Sequence, residues 1–130
     1  MSNWVRELEM FVGEVDRIVD GDTLYINLDL GFGLTLDEDI RLADIDAPEH
    51  STFVAAGMID PALNYLQQKL PQGAMVVVET KREEKFGRWL ATLHYLMGCT
   101  DPQEILANGT IINDELVALG YAKHYEGGKK

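Results

Sequence analysis

Two short stretches gather the side chains that could do chemistry. VDGDTL, residues 19–24, carries Asp20 and Asp22, and IRLADIDAPEH, residues 40–50, carries Arg41, Asp44, Asp46 and Glu49. Hard divalent cations such as Ca²⁺ or Mg²⁺ take several oxygen ligands, which carboxylates at the ends of neighbouring strands can supply. An arginine fork matches the oxygens of a phosphate, and a metal can bind the same phosphate. These residue types therefore suit metal-assisted hydrolysis of a phosphodiester. Each stretch also has a plainer reading. Asp and Gly are good turn formers, so VDGDTL also reads as an ordinary hairpin turn. IRLADIDAPEH also reads as a strand running into a proline-containing loop with solvated acids. A third stretch, GRWLATLHY from Gly87, sets Arg88 in front of an apolar run. That arginine is either an exposed charge at a strand end or is aimed at something negative.

The elements that must position these residues follow from periodicity. Phe11–Val19 and Leu24–Leu30 read as strands joined at Asp20-Gly21, a dipeptide suited to a tight hairpin. Leu24, Ile26, Leu28 and Leu30 fall on one face at period two. Gly31-Phe32-Gly33 breaks the run, and Asp39–Ile45 reads as a third strand. Arg41 and Asp46 are five apart, so on a regular strand they face opposite sides. If both serve one site, the strand must bulge or end between them, and Pro48 shows the chain leaving the sheet there. Asp60-Pro61 opens a helix with a capping side chain and proline at its first position. Leu63, Leu66 and Leu70 follow at helical spacing, and Pro71 ends it. Ala74–Thr80 and Trp89–Leu96 are the fourth and fifth strands. A second short helix starts at Asn113, with Asp114 and Glu115 in its first turn and Gly120 placed to terminate it. This order predicts a small mixed barrel with two helices in a single domain spanning 1–130, not a parallel βαβ sheet.

Composition narrows the class. A chain of 130 residues with 46% hydrophobic content can bury one core. Cys99 is the only cysteine, which excludes an intramolecular disulfide. The stretch MSNWVRELEMFVGEV has no basic region followed by an apolar run, so a cytoplasmic location is expected. No apolar run is long enough to cross a bilayer, so no membrane partner is expected. The net charge is −11, and residues 1–50 hold 13 acidic side chains against 3 basic ones. Such a balance lacks the basic footprint that phosphate binding normally requires, and suits metal binding or a surface adapted to salt.

Four blocks carry a resemblance: VDGDTL at 19–24, IRLADIDAPEH at 40–50, EKFGRWLATLHY at 84–95 and INDELVALGYAKHYEGGKK at 112–130. In this order they resemble the staphylococcal nuclease (thermonuclease) family of bacteria and phages, over most of the chain from about Val12. The resemblance implies a five-stranded OB-type β-barrel with helices. It also implies Ca²⁺-dependent cleavage of DNA or RNA, single-stranded substrates included, by a monomer. It makes Asp22 and Asp46 the metal carboxylates, with the backbone carbonyl of Ala47 a further ligand and Asp20 close behind them. Glu49 matches the general base for the attacking water. Arg41 and Arg88 match the two arginines that clamp the phosphate, so Arg88 is aimed at the substrate.

The chain departs from the family in places. Ala47 stands where threonine is frequent, and Phe86 where a tyrosine hydroxyl would meet a terminal phosphate, while Lys85 is kept. The family's C-terminal helix is not expected before Lys130. Tyr125 and Tyr121 can stack a base, though packing serves Tyr121 equally well. His94 reads as structural, and His50 as either a substrate contact or a surface residue. Lys81-Arg82 and Lys129-Lys130 are solvated charges and the best basic contacts available. The competing reading is a barrel of the same fold that binds nucleic acid or protein without cleaving.

Overall fold

The computed structural model describes residues 9–83 and 89–125. Lys85, Phe86 and Arg88, named above as substrate contacts and phosphate clamp, lie outside the described residues, as do Lys129 and Lys130. Two long strands, β1 (Glu9–Asp20) and β2 (Thr23–Gly31), form the expected hairpin around Asp20-Gly21. Strand β3 (Leu34–Leu42) follows antiparallel, with Thr23 opposite Arg41. The two-residue β4 (Ile45–Asp46) leads into helix α1 (His50–Ala56) and helix α2 (Pro61–Lys69). Strands β5 (Met75–Glu83) and β6 (Trp89–Tyr95) come next. Then follow α3 (Pro102–Asn108), β7 (Thr110–Ile111), α4 (Ile112–Ala118) and β8 (Lys123–His124).

The sheet runs β3-β2-β1-β5-β6-β7 and closes on itself where β3 pairs with β6 in parallel. This is a closed barrel of β1, β2, β3, β5 and β6 with β7 as an extra strand, the mixed α+β architecture expected of an OB-type fold. Closure removes free edges around the core. Leu24, Ile26, Ile40, Leu42, Val76, Val78 and Leu93 point inward at period two and are fully buried. Leu66 of α2 and Ile112 and Leu116 of α4 join them. No helix among the described residues is long and apolar enough to cross a membrane.

Four helices stand among the described residues where two were expected. The additional α1 buries no residue, so no apolar period marks it in the sequence. The additional α3 starts with the same device as α2: Asp101 accepts from Gln103 N–H, with proline at the helix start. Strand β3 also begins at Leu34 rather than Asp39. There β2 and β3 project beyond the barrel as a hairpin arm around Gly31-Phe32-Gly33, with Phe32 at φ 56°. Leu30, expected on the inward face with Leu24, Ile26 and Leu28, is therefore exposed, as are Leu34 and Leu36. Asp29, Asp37, Glu38 and Asp39 lie on this arm and account for part of the acidic excess. His94 is structural, its Nε2 lying 3.1 Å from Glu79 Oε1 across β5 and β6. Tyr121 packs against Tyr65, with ring centroids 5.2 Å apart.

One buried amide joins the last elements to the first. Asn113, at the start of α4, donates from Nδ2 to the carbonyls of Ala43 and Ala91, both at 3.0 Å, and accepts from Leu93 N–H at 3.0 Å. Replacing it by alanine strands buried backbone groups in the barrel wall. Asn113→Ala is expected to cost about 2–4 kcal/mol in urea unfolding with an unchanged m-value. A cost below about 0.5 kcal/mol would show that the amide is dispensable.

Candidate active site

The site forms where the β1–β2 hairpin meets the end of β3. Asp22, next to the turn, is 7% exposed. A carboxylate so buried needs hydrogen-bond donors, and Asp22 has them on both oxygens. Thr23 Oγ1 donates to Oδ1 at 3.1 Å, and the Ala47 N–H donates to Oδ2 at 3.0 Å. The Arg41 Nη2 lies 3.5 Å from Oδ2. The Asp22 carbonyl also accepts from Leu42 N–H at 2.8 Å, so backbone and side chain both anchor the hairpin to β3.

Arg41 is the hub. The same Nη2 donates to Asp46 Oδ1 at 3.1 Å and to the Ile45 carbonyl at 3.3 Å. Arg41 and Asp46 meet because the strand ends between them, as their spacing requires. Ala43 and Asp44 form a turn with Asp44 at φ 65°, and β4 follows it, paired with β8 in a separate small sheet. Asp44 does not join the other acids. It turns outward to Lys81, with a 3.0 Å ion pair, and its carbonyl accepts from Tyr125 N–H at 2.8 Å. Tyr125 thereby sits beside the site, with the Arg41 guanidinium 5.5 Å from its ring centroid.

The other expected residues are placed as follows. Asp20 Oδ1 accepts from His50 N–H at 2.8 Å, so it holds the start of α1. Glu49 is exposed and occupies the position before α1, and its carboxylate makes no capping bond. Ala47 is buried and meets Asp22 through its N–H. Gly21 explains the close fit: a Cβ there would come within 2.5 Å of the Ala62 Cβ and 3.0 Å of the Ala47 Cβ. Sequence reading missed Asp60 as more than a cap. Its Oδ1 accepts from Leu63 N–H, and its Oδ2 lies 3.1 Å from His50 Nδ1. The Asp60-Pro61 signal revealed the first role, but the second needs the fold.

Among the described residues no group of three or more His, Cys, Asp or Glu side chains is arranged to hold a metal. What the fold does bring together is a pair of carboxylates, Asp22 and Asp46, on one guanidinium nitrogen. Oxygen donors of this kind fit a hard cation whose remaining positions are filled by carbonyls and water.

Burial raises the pKa of Asp22 above the ordinary 3.8, and the Asp46 charge adds to the rise; the Ala47 N–H, the Arg41 charge and the Thr23 hydroxyl act against it.

The family described as staphylococcal nuclease homologue matches residues 39–130. That span includes Arg41, Asp46, Ala47 and Glu49. Endonuclease YhcR of Bacillus subtilis (strain 168) is 33% identical over 124 residues, covering 88% of this chain. The chain spans 9% of the length of that relative.

The Asp22 shift has a sign that can be measured. A raised folded-state value means the fold favours the protonated carboxyl. That stability is fully present below 3.8 and is lost as pH rises through the folded-state value. An uncharged amide does not titrate. The stability of Asp22→Asn relative to the parent is therefore expected to grow as pH rises from about 4 towards 7, as followed by urea unfolding. A flat or opposite trend would mean that the hydrogen bonds outweigh burial.

Proposed function

This chain belongs to the staphylococcal nuclease homologue family, and from that premise we propose that it is a Ca²⁺-dependent nuclease hydrolysing phosphodiester bonds in DNA or RNA. The observation that carries the proposal is the meeting of Arg41, Asp22 and Asp46 at one point, from three separate segments. A barrel that only binds nucleic acid has no use for two acids converging on the guanidinium that would grip the phosphate.

Asp22, Asp46 and the carbonyl of Ala47 would hold the Ca²⁺. When bound there, the ion polarises the phosphoryl group and favours hydroxide at neutral pH. The protein's own groups do the rest. Arg41 offers its fork to two phosphate oxygens and neutralises the charge that develops on them. Arg88 is assigned the second position on the phosphate. Glu49, exposed and free of any capping duty, accepts the proton of the attacking water. Asp20 and the Ala47 N–H keep the segment bearing Glu49 in place. Lys85, Phe86 and Tyr125 are assigned to the neighbouring phosphate and base of a single-stranded substrate, with Tyr125 already beside Arg41.

The test is cleavage of a single-stranded oligonucleotide with Ca²⁺, with and without EGTA. Cleavage is expected only with free Ca²⁺, and binding without cleavage would favour the non-catalytic barrel. Arg41→Lys keeps the charge but loses the planar fork, so it is expected to fold and to turn over about a hundredfold more slowly. Near-normal turnover would reduce Arg41 to a counter-ion for its two acids. Ca²⁺ is also expected to raise the melting temperature of the parent protein but not of Asp46→Ala, because a bound ligand stabilises only the fold that binds it.

A further inference from the structure

Glu49 opens a segment with little to hold it. Helix α1 buries no residue, so apolar packing does not fix it. Val54 in α1, and Met58 and Ile59 in the link to α2, are exposed. Among the described residues, the hydrogen bonds that join residues 49–59 to other elements both come from His50. The first is from its backbone. His50 N–H donates to Asp20 Oδ1 at 2.8 Å, three residues after Ala47 N–H donates to Asp22 Oδ2 at 3.0 Å. Glu49 therefore lies between two anchors, set on the two acids that flank Gly21. The second is from the imidazole. Its Nδ1 lies 3.1 Å from Asp60 Oδ2, and the Asp60 side chain is 1% exposed. Asp60 is itself held, because its Oδ1 accepts from Leu63 N–H at the start of α2. An ionised carboxylate only accepts, so Nδ1 carries the hydrogen. The imidazole thus ties the first residue of α1 to the first turn of α2.

We propose that His50 is a positioning residue, whose bond to Asp60 fixes the segment from which Glu49 presents its carboxylate; the proposal rests on the nuclease reading, with Glu49 as the base. A single backbone hydrogen bond at the start of a short helix that packs on nothing opens readily. Here the same residue is also bound to a buried carboxylate, and a bond of that charge-assisted kind is the stronger one. Releasing the segment means breaking both. A general base works only within hydrogen-bond reach of the water it deprotonates, and a misplacement of about 1 Å can cost about a hundredfold in rate. His50 acts only through Glu49 and is assigned no contact with substrate.

The experiment is a double-mutant cycle, with kcat and KM measured on a short single-stranded oligonucleotide at saturating Ca²⁺. His50→Ala is expected to lose roughly tenfold in kcat, with KM within about twofold of the parent. The histidine is 38% exposed, so the variant folds without a buried cavity. His50→Asn keeps an N–H donor as many bonds from Cα as Nδ1, and is expected to stay within about twofold of the parent. In the Glu49→Gln background, His50→Ala is expected to cost no more than about twofold further, because the group it positions is already gone. Amide hydrogen exchange of residues 49–52 reads the tether without turnover. It is expected to rise roughly tenfold in His50→Ala and to stay near the parent in His50→Asn. Unchanged exchange, no loss of kcat, or an equal loss with and without the Glu49 carboxylate overturns the role of His50 and leaves the nuclease reading standing. A parent protein that does not cleave the oligonucleotide removes the nuclease reading, and the positioning role with it.

Discussion

A carboxylate taken out of water has to be compensated by whatever the fold places around it, and the arrangement of this molecule turns on how Asp22 is compensated. One of its partners is local, the hydroxyl of Thr23. The others come from further along the chain: the N–H of Ala47 and the guanidinium of Arg41. Each requires the β1–β2 hairpin to lie against the end of β3 and against the segment that leaves it. Gly21 makes that approach possible by presenting no side chain to Ala47 and Ala62. Satisfying one buried acid thus ties the hairpin turn to the end of β3 and to the segment that follows it.

Arg41 then links structure to chemistry. One nitrogen serves both Asp22 and Asp46, so the protein carries its own counter-ion between them. Removing one partner of such a group leaves the other charge exposed to its like neighbour at low dielectric. On the nuclease reading, Asp22 and Asp46 would hold the cation, whose charge would balance theirs and leave the Arg41 guanidinium for phosphate. Behind these charges stand backbone donors, the N–H groups of Ala47 and His50, which hold Asp22 and Asp20. Lys81 plays no part in this balance, because the turn at Asp44 sends that acid outward to meet it.

Much of this was legible in the sequence, because the signals are local. Asp20-Gly21 between two apolar runs specified the hairpin, and Asp60-Pro61 specified the start of α2. The five-residue spacing of Arg41 and Asp46 demanded a break, and the structure supplies one at Ala43-Asp44. Helix α3 repeats the capping device of α2 and was readable by the same rule. Helix α1 was not, since a helix that buries nothing leaves no apolar period. The β2–β3 arm escaped for a related reason: alternation predicts an inward face, but the strands outrun the barrel they were to line. The contacts of Asn113 with Ala43, Ala91 and Leu93, and of Asp60 with His50, join residues whose nearness only the closed fold creates.

The parallel pairing of β3 with β6 also bears on the order in which the molecule can be completed. Asp20, Asp22, Arg41, Asp46 and Glu49 are all synthesised early, and the β1–β2–β3 meander needs only contacts between neighbours. The turn that carries the chain from Arg41 back to Asp46 is held differently. Ala43 N–H donates to the carbonyl of Ala91, and the Ala43 carbonyl accepts from Asn113. Such distant pairings form late, because the intervening loop must be closed before they contribute anything. A chain still emerging from the ribosome therefore has every acid of the site well before it can hold them in register. The turn that aligns Arg41 with Asp46 is therefore expected to gain its Ala91 and Asn113 hydrogen bonds late, so partly folded forms would present the acids before that turn is fixed.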